Sequence, residues 1–359
     1  MSSRFSEFAL KAVGILLMLA ALGFAVSKAP DRSLESLVPR WAPPPSDFVD
    51  LDGLLVHYRD QGPSSDPLPL VLIHGTSASL HTWEGWVAEL AQTRRVISFD
   101  LPGFGLTGPN AENDYSDARY VAFVRQLLTR LGVGRAILGG NSLGGEIAWQ
   151  VALADPAHVA GLVLVDAAGF AFEPESLPLG FRIARIPVLR EPMRWVLPRR
   201  AIEDSVLDVY GDKSRVTAAL VDRYYELALR EGNRVALMRR MDQLAPGPVE
   251  RLGEIKVPTL ILWGERDRLI PLRWGREFEK GIPGSRLVVF PTLGHVPQEE
   301  DPAATLAALR DWLPTVPSSK DYLGRSPEGT AMLAGSTGNH IAPGGPARER
   351  PVARPAVAE

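Results

Sequence analysis

The sequence predicts an α/β fold in which a mostly parallel central sheet is flanked by helices and carries an inserted helical cap. Three observations predict it. Short apolar runs bounded by glycine or proline alternate with helical patterns, as buried parallel strands do when helices cover both faces of a sheet. One long interval, from Asp166 to Val257, breaks that alternation with amphipathic helical patterns and no strong strand signal. Gly140-Asn141-Ser142-Leu143-Gly144 stands between a strand pattern and a helix pattern, where the chain must turn sharply.

The bulk composition agrees with a globular domain and excludes several classes. The chain has 359 residues, 45% hydrophobic and 23% charged, enough for one large core with attachments. Its net charge of -3 mixes both signs, so no basic face offers itself to nucleic acid. Cysteine is absent, which removes disulfides, thiolate metal ligands and a cysteine nucleophile together.

From Ala12 to Val26 no charge interrupts the chain, and the apolar stretch from Phe8 approaches bilayer-spanning length if Lys11 snorkels. Residues 1–28 are therefore expected to form a signal anchor, a single transmembrane helix that places the folded domain outside the cytoplasm. The alternative is a signal peptide cleaved near Ala25-Val26-Ser27, leaving a secreted protein. Prolines 30, 39, 43, 44 and 45 make residues 29–46 a tether or an arm lying along the surface.

Asp52-Gly53 between Phe48–Leu51 and Leu54–Tyr58 predicts a two-residue hairpin and hence an antiparallel edge ribbon. The core strands follow at Leu70–Ile73, Val96–Phe99, Ala136–Leu138, Leu162–Val165, Thr259–Trp263 and Leu287–Phe290. Residues 47–166 and 251–314 are assigned to this core and 167–250 to the cap. Within the cap, Val216–Leu229 and Val235–Leu244 space apolar residues at three and four, and Phe181–Val196 is apolar and broken by prolines. Residues 315–359 are poor in large apolar side chains and are expected to be a disordered tail.

Ser142 is the candidate nucleophile. Glycines two before and two after it are required where a β-carbon would collide with neighbouring chain, and the helix that follows aims its first amides at a reacting oxygen. A neutral hydroxyl needs a base, and His295 stands just past the last strand in Leu293-Gly294-His295-Val296-Pro297. Asp267, beyond the strand Thr259–Trp263, is placed to hold the imidazole; Glu265 and Asp166 are the rivals, Asp166 because it also ends a strand. The amides of Leu143 and Thr76 are the candidate oxyanion donors, Thr76 lying in His74-Gly75-Thr76-Ser77 after the first core strand. His74 is expected to order that loop, and Asp100 through Gly105 to shape the rim.

As a set, His74-Gly75, Asp100 through Gly105, Gly140 through Gly144, Asp267 and His295 resemble the α/β-hydrolase superfamily over about Phe48 to Leu313. Gly140-Asn141-Ser142-Leu143-Gly144-Gly145 is similar to the serine turn of the meta-cleavage-product hydrolases, which cut a carbon-carbon bond, while His74-Gly75-Thr76-Ser77 departs from their glycine-richer loop. Gly294-His295-Val296-Pro297 and Glu299-Glu300-Asp301-Pro302 look like capped carboxylesterases and lipases. The resemblance implies a serine hydrolase acting on a small-molecule ester, with carbon-carbon cleavage as the alternative and a non-catalytic binding protein of the same fold as the third reading. No metal or organic cofactor is called for, and the membrane is a partner only if the N-terminal helix is retained.

Overall fold

In the computed structural model, residues 27–177 and 191–317 are described continuously, with isolated positions between 8 and 23 and at 182 and 186. Eight strands form one sheet: β1 (Ser46–Leu51), β2 (Leu54–Gln61), β3 (Leu70–Ile73), β4 (Val96–Phe99), β5 (Ala136–Asn141), β6 (Val159–Val165), β7 (Thr259–Gly264) and β8 (Arg286–Phe290). Their order is β1-β2-β4-β3-β5-β6-β7-β8, with β2 antiparallel to both neighbours and every pair from β4 to β8 parallel. The β1–β2 hairpin turns on Asp52 and Gly53, whose φ angles of 54° and 85° are the left-handed pair such a turn demands.

β3, β4, β5, β6 and β7 are buried along their whole length, which is why they read as unbroken apolar runs. Each sheet face has its own core. On one face Val71, Ile73, Leu138 and Leu164 pack against Phe123, Leu127, Ile147 and Trp149; on the other Leu70, Leu72, Val163 and Leu262 meet Trp83, Trp86, Leu309 and Trp312. Because β3 and β5 are adjacent while their crossovers run to opposite sides, a crevice opens at the carboxyl ends of the strands. The loops after β3, β5, β6, β7 and β8 all end on that rim.

Between β6 and β7 the chain forms helices Arg199–Val209, Ala218–Ala228 and Asn233–Asp242; the second and third lie where two of the three helical patterns predict them, and Arg199–Val209 falls where none of the patterns lies. Half of the pattern over 181–196 lies outside the described residues. The cap is tied to the core through Glu299 and Glu300. Glu299 accepts from Tyr210 at 2.7 Å and Arg223 at 2.5 Å, while Glu300 accepts from the amides of Gly211, Asp212 and Gly294.

The expected transmembrane helix is not found among the described residues: no helix there is long and apolar enough to cross a membrane. The anchored location, the signal-anchor assignment and the membrane as a partner are therefore withdrawn. The following segment is bound to the cap: Ala29 N donates to Trp195 O, Arg32 N to Leu229 O, and Asp31 pairs with Arg234 at 2.5 Å. Within the proline-rich stretch, Ser33 caps a helix over Leu34–Trp41, whose Leu37 is wholly buried against Leu106 and Leu227. Of the tail expected over 315–359, residues from 318 onward lie outside those described.

Candidate active site

Ser142 sits at the junction of β5 and the helix Leu143–Ala154, with φ 55° and ψ −119°. A non-glycine residue in this region stores strain, and the surroundings show why it is held there. A β-carbon on Gly140 would lie 2.1 Å from the carbonyl oxygen of Gly144, one on Gly144 would lie 2.1 Å from that of Ile73, and one on Gly145 would strike Ala167. Strand, helix and neighbouring loops close to backbone contact only because these positions lack side chains. Leu143 opens the helix, so its amide has no intrahelical acceptor and is available to a ligand.

His295 stands on the loop after β8. Its Nδ1 lies 2.6 Å from Asp267 Oδ2, with both side chains buried. Asp267 Oδ1 accepts from the amides of Leu269 and Ile270 at 2.8 and 2.9 Å, which fixes the carboxylate and leaves Oδ2 for the imidazole. The loop is braced from outside by the cap, since His295 N donates to Val209 O at 2.8 Å. Of the rival acids, Glu265 is exposed, and Asp166 is buried beside Asp267.

Thr76, Leu143, Ser142 and His295 all line one cavity of about 500 Å³. No hydrogen bond joins the Ser142 and His295 side chains to each other. Gly75 brings its loop against Ser142: a β-carbon there would sit 3.0 Å from Ser142 Cβ. His74 orders the loop from beneath. It is fully buried, its Nδ1 donates to Gly75 O at 2.7 Å and its Nε2 accepts from Leu101 N at 2.9 Å; burial lowers its pKa, in keeping with a neutral ring.

The cavity wall is mostly apolar, with Ile202, Val206, Leu237 and Leu244 from the cap facing a stacked pair, Phe170 and Trp274, with ring centroids 4.8 Å apart. Charged groups reach it only as neutralised sets. Arg234 pairs with Asp31, and Arg240 with Asp117 at 2.7 Å. Glu146, one turn beyond Ser142, is pushed up to about 8 by burial and by Asp117, against the pull of Arg240.

One contributor escapes the sequence reading. Asn141, inside the serine turn, donates from Nδ2 to Val165 O at 3.1 Å and His295 O at 2.9 Å, locking the end of β5 to β6 and to the histidine loop. Its position in the motif is a signal; its two acceptors, on β6 and on the loop after β8, are not. Asp166, Asp267 and His295 form a group of potential metal ligands, with one atom of each within 4.8 Å of the others. Asp267 is already engaged by two amides and His295, which makes the group a hydrogen-bonded set and a poor open metal site.

This arrangement defines a hydrolase of the α/β type. The chain belongs to the alpha/beta hydrolase fold family, whose pattern matches residues 69–302. It is 31% identical to an uncharacterized protein of Mycobacterium tuberculosis, over 84% of this chain and 92% of that protein. It is 30% identical to the 2-hydroxy-6-oxo-2,4-heptadienoate hydrolase of Pseudomonas putida, over 73% of this chain and 93% of that enzyme. Among solved structures, the esterase RhEst1 from a Rhodococcus species superposes with a TM-score of 0.63 at 29% identity, covering 75% of this chain and 98% of the esterase.

Proposed function

We propose that the protein is a serine hydrolase that cleaves carboxylic esters of small to medium size through an acyl-enzyme on Ser142. The observation that carries this reading is that Ser142, His295, Thr76 and Leu143 line one mostly apolar cavity. In this mechanism Ser142 Oγ attacks the ester carbonyl carbon and its proton passes to His295 Nε2. The amides of Thr76 and Leu143 hold the oxyanion. Collapse expels the alcohol, which takes the proton from His295. Water then attacks the acyl carbon as His295 removes its proton, and a second collapse frees the acid and restores Ser142. Asp267 keeps Nδ1–H in place and stabilises the imidazolium.

Carbon-carbon cleavage is the second reading, favoured by the Pseudomonas putida relative, which is named for a dienoate and thus an anion. The cavity favours the uncharged ester: both guanidinium groups on its wall are already paired with carboxylates, and Glu146 is held protonated near neutrality. The test is hydrolysis of a p-nitrophenyl ester series by the full chain, with Ser142→Ala and His295→Ala alongside. Turnover lost in both variants supports the ester reading. No turnover of any ester, with cleavage of a 2-hydroxy-6-oxo-dienoate, transfers the site to carbon-carbon chemistry, and inertness to both leaves a binding protein.

A further inference from the structure

We infer that Asp166 carries a proton at neutral pH and donates it, as an O–H hydrogen bond, to the Asp267 carboxylate, making Asp166 a positioning residue for the Asp267–His295 pair. The inference deepens the serine-hydrolase reading and rests on it for its consequence, while its geometry stands on its own. Asp166 ends β6 with φ 43°, a left-handed conformation that aspartate and asparagine tolerate better than most residues. Its side chain is wholly buried. Oδ1 accepts from Gly264 N at 3.0 Å, but Oδ2 is buried with no donor. The group beside it is itself an acceptor: one oxygen each of Asp166 and Asp267 and a ring nitrogen of His295 lie within 4.8 Å of one another. An ionised Asp166 would bury a second negative charge against the first and leave Oδ2 unsatisfied. A proton on Oδ2 turns the orphaned acceptor into a donor and the repulsion into a bond.

The number of donors decides which acid holds the proton. Asp267 receives three, from Leu269 N, Ile270 N and the His295 ring, whereas Asp166 receives one. Hydrogen bonds from N–H groups favour the charged form, so Asp267 keeps the charge and Asp166 the proton. Burial, with Asp267 alongside, holds Asp166 well above the usual carboxylate range, in the same sense. The ionisable groups facing Asp166 are Asp267 and His295, from the loops after β7 and β8, and Glu300 from the short helix Pro297–Glu300. Glu300 is committed to three backbone amides and adds further negative potential. A fourth hydrogen bond to Asp267 spreads its charge and weakens its pull on the His295 Nδ1 proton. The histidine then remains a base that releases its proton to the leaving group.

The test compares full-length wild type, Asp166→Asn and Asp166→Ala by magnetic-resonance titration of the His295 ring and by the infrared bands of protonated carboxyl groups. Neither measurement needs a substrate, so the outcome is separate from whether esters are turned over. Asparagine keeps the acceptor for Gly264 N, supplies a donor to Asp267 and tolerates the backbone. The expected result is a His295 midpoint within about 0.3 unit of wild type in Asp166→Asn, a higher midpoint in Asp166→Ala, and one protonated-carboxyl band missing from both. Glu146→Gln identifies the band owed to the other raised carboxyl, and Asp166→Ser replaces the alanine variant if that chain does not fold. Removing an ionised neighbour would instead lower the midpoint by roughly one unit in Asp166→Asn. That fall, an unchanged set of bands in Asp166→Asn, or an unmoved midpoint in Asp166→Ala overturns the inference.

Discussion

His57 Nδ1 lies 2.7 Å from Asp100 Oδ2, with both side chains wholly buried, and its Nε2 lies 3.0 Å from Ser46 Oγ. Arg59 Nε donates to the same Oγ at 2.9 Å, leaving the hydroxyl proton free to point at His57. The order of groups is that of Ser142, His295 and Asp267, but the surroundings differ. Asp100 also accepts from the amides of Leu80 and Leu106, and neither Ser46 nor His57 lines the large cavity. This chain of bonds joins β1, β2 and the loop after β4. A fluorophosphonate probe is accordingly expected to label wild type and Ser46→Ala alike and to leave Ser142→Ala unlabelled; persistent labelling of Ser142→Ala would contradict the assignment.

The same network predicts a stability effect. Burial alone would raise the Asp100 pKa, yet the charge and hydrogen bond of His57, with His74 and His81 nearby, hold it well below the usual carboxylate range. Removing one partner strands the other polar groups in the interior, so His57→Ala is expected to cost about 3 kcal/mol in urea unfolding. A loss under about 1 kcal/mol would show that water replaces the ring.

Most of this sheet is legible because its signals are local. Leu70–Ile73 and Val96–Phe99 are apolar runs closed by chain-breaking residues, and Ser142 lies in a turn whose glycines answer clashes with backbone only a few residues or one strand away. The helix Leu34–Trp41 is hidden because its proline content signals a tether, and it is the fit of Leu37 between Leu106 and Leu227 that holds it to the domain. The Asp166–Asp267 contact is hidden for a related reason. Both acids follow strands in the sequence, Asp166 directly and Asp267 three residues on, but that their carboxyl groups meet depends on the parallel β6–β7 pairing and on a positive φ at Asp166.

Gly144→Ala is expected to abolish soluble, folded protein or to cost more than about 3 kcal/mol, because the added β-carbon would lie 2.1 Å from a backbone oxygen in the sheet. Gly253→Ala is the control. Its β-carbon meets nothing closer than 3.9 Å, and the change is expected to be nearly neutral. Thermal unfolding of the two variants side by side reads the difference.

Two buried groups set opposite pH slopes. His81 is pushed down to about 4, chiefly by burial, so between about 4 and its unfolded value near 6.5 the unfolded chain binds more protons and stability rises with pH. Glu146 is pushed up to about 8, again chiefly by burial, so between its unfolded value near 4.3 and about 8 the folded chain binds more protons and stability falls as pH rises. The two slopes oppose each other between about 4.3 and 6.5, and above about 6.5 only Glu146 acts, so in the melting-temperature profile Glu146→Gln is expected to steepen the rise below about 6.5 and flatten the fall between about 6.5 and 8, whereas His81→Gln is expected to leave a continuous fall from about 4.3 to 8. Parallel profiles for wild type and either variant would show that the group concerned does not titrate in that window.

Leu237 projects from the cap helix Asn233–Asp242 into the wall of the cavity that holds Ser142. The ester reading makes the cap a gauge of chain length, because the wall is apolar and each buried methylene of a substrate contributes about 0.8 kcal/mol of transfer energy. Tryptophan at this position fills space that a long acyl chain needs, without touching the groups proposed to perform chemistry. Leu237→Trp is therefore expected to keep p-nitrophenyl acetate hydrolysis within a few-fold of wild type while lowering kcat/KM for long acyl chains by roughly 10-fold to 100-fold, the range that poor fit in an apolar pocket commands. If all chain lengths fall together, the substitution has disturbed the floor near Ser142 and His295. If none falls, the acyl chain leaves by another side of the cavity, and the same substitution at Ile202 or Leu244 locates it.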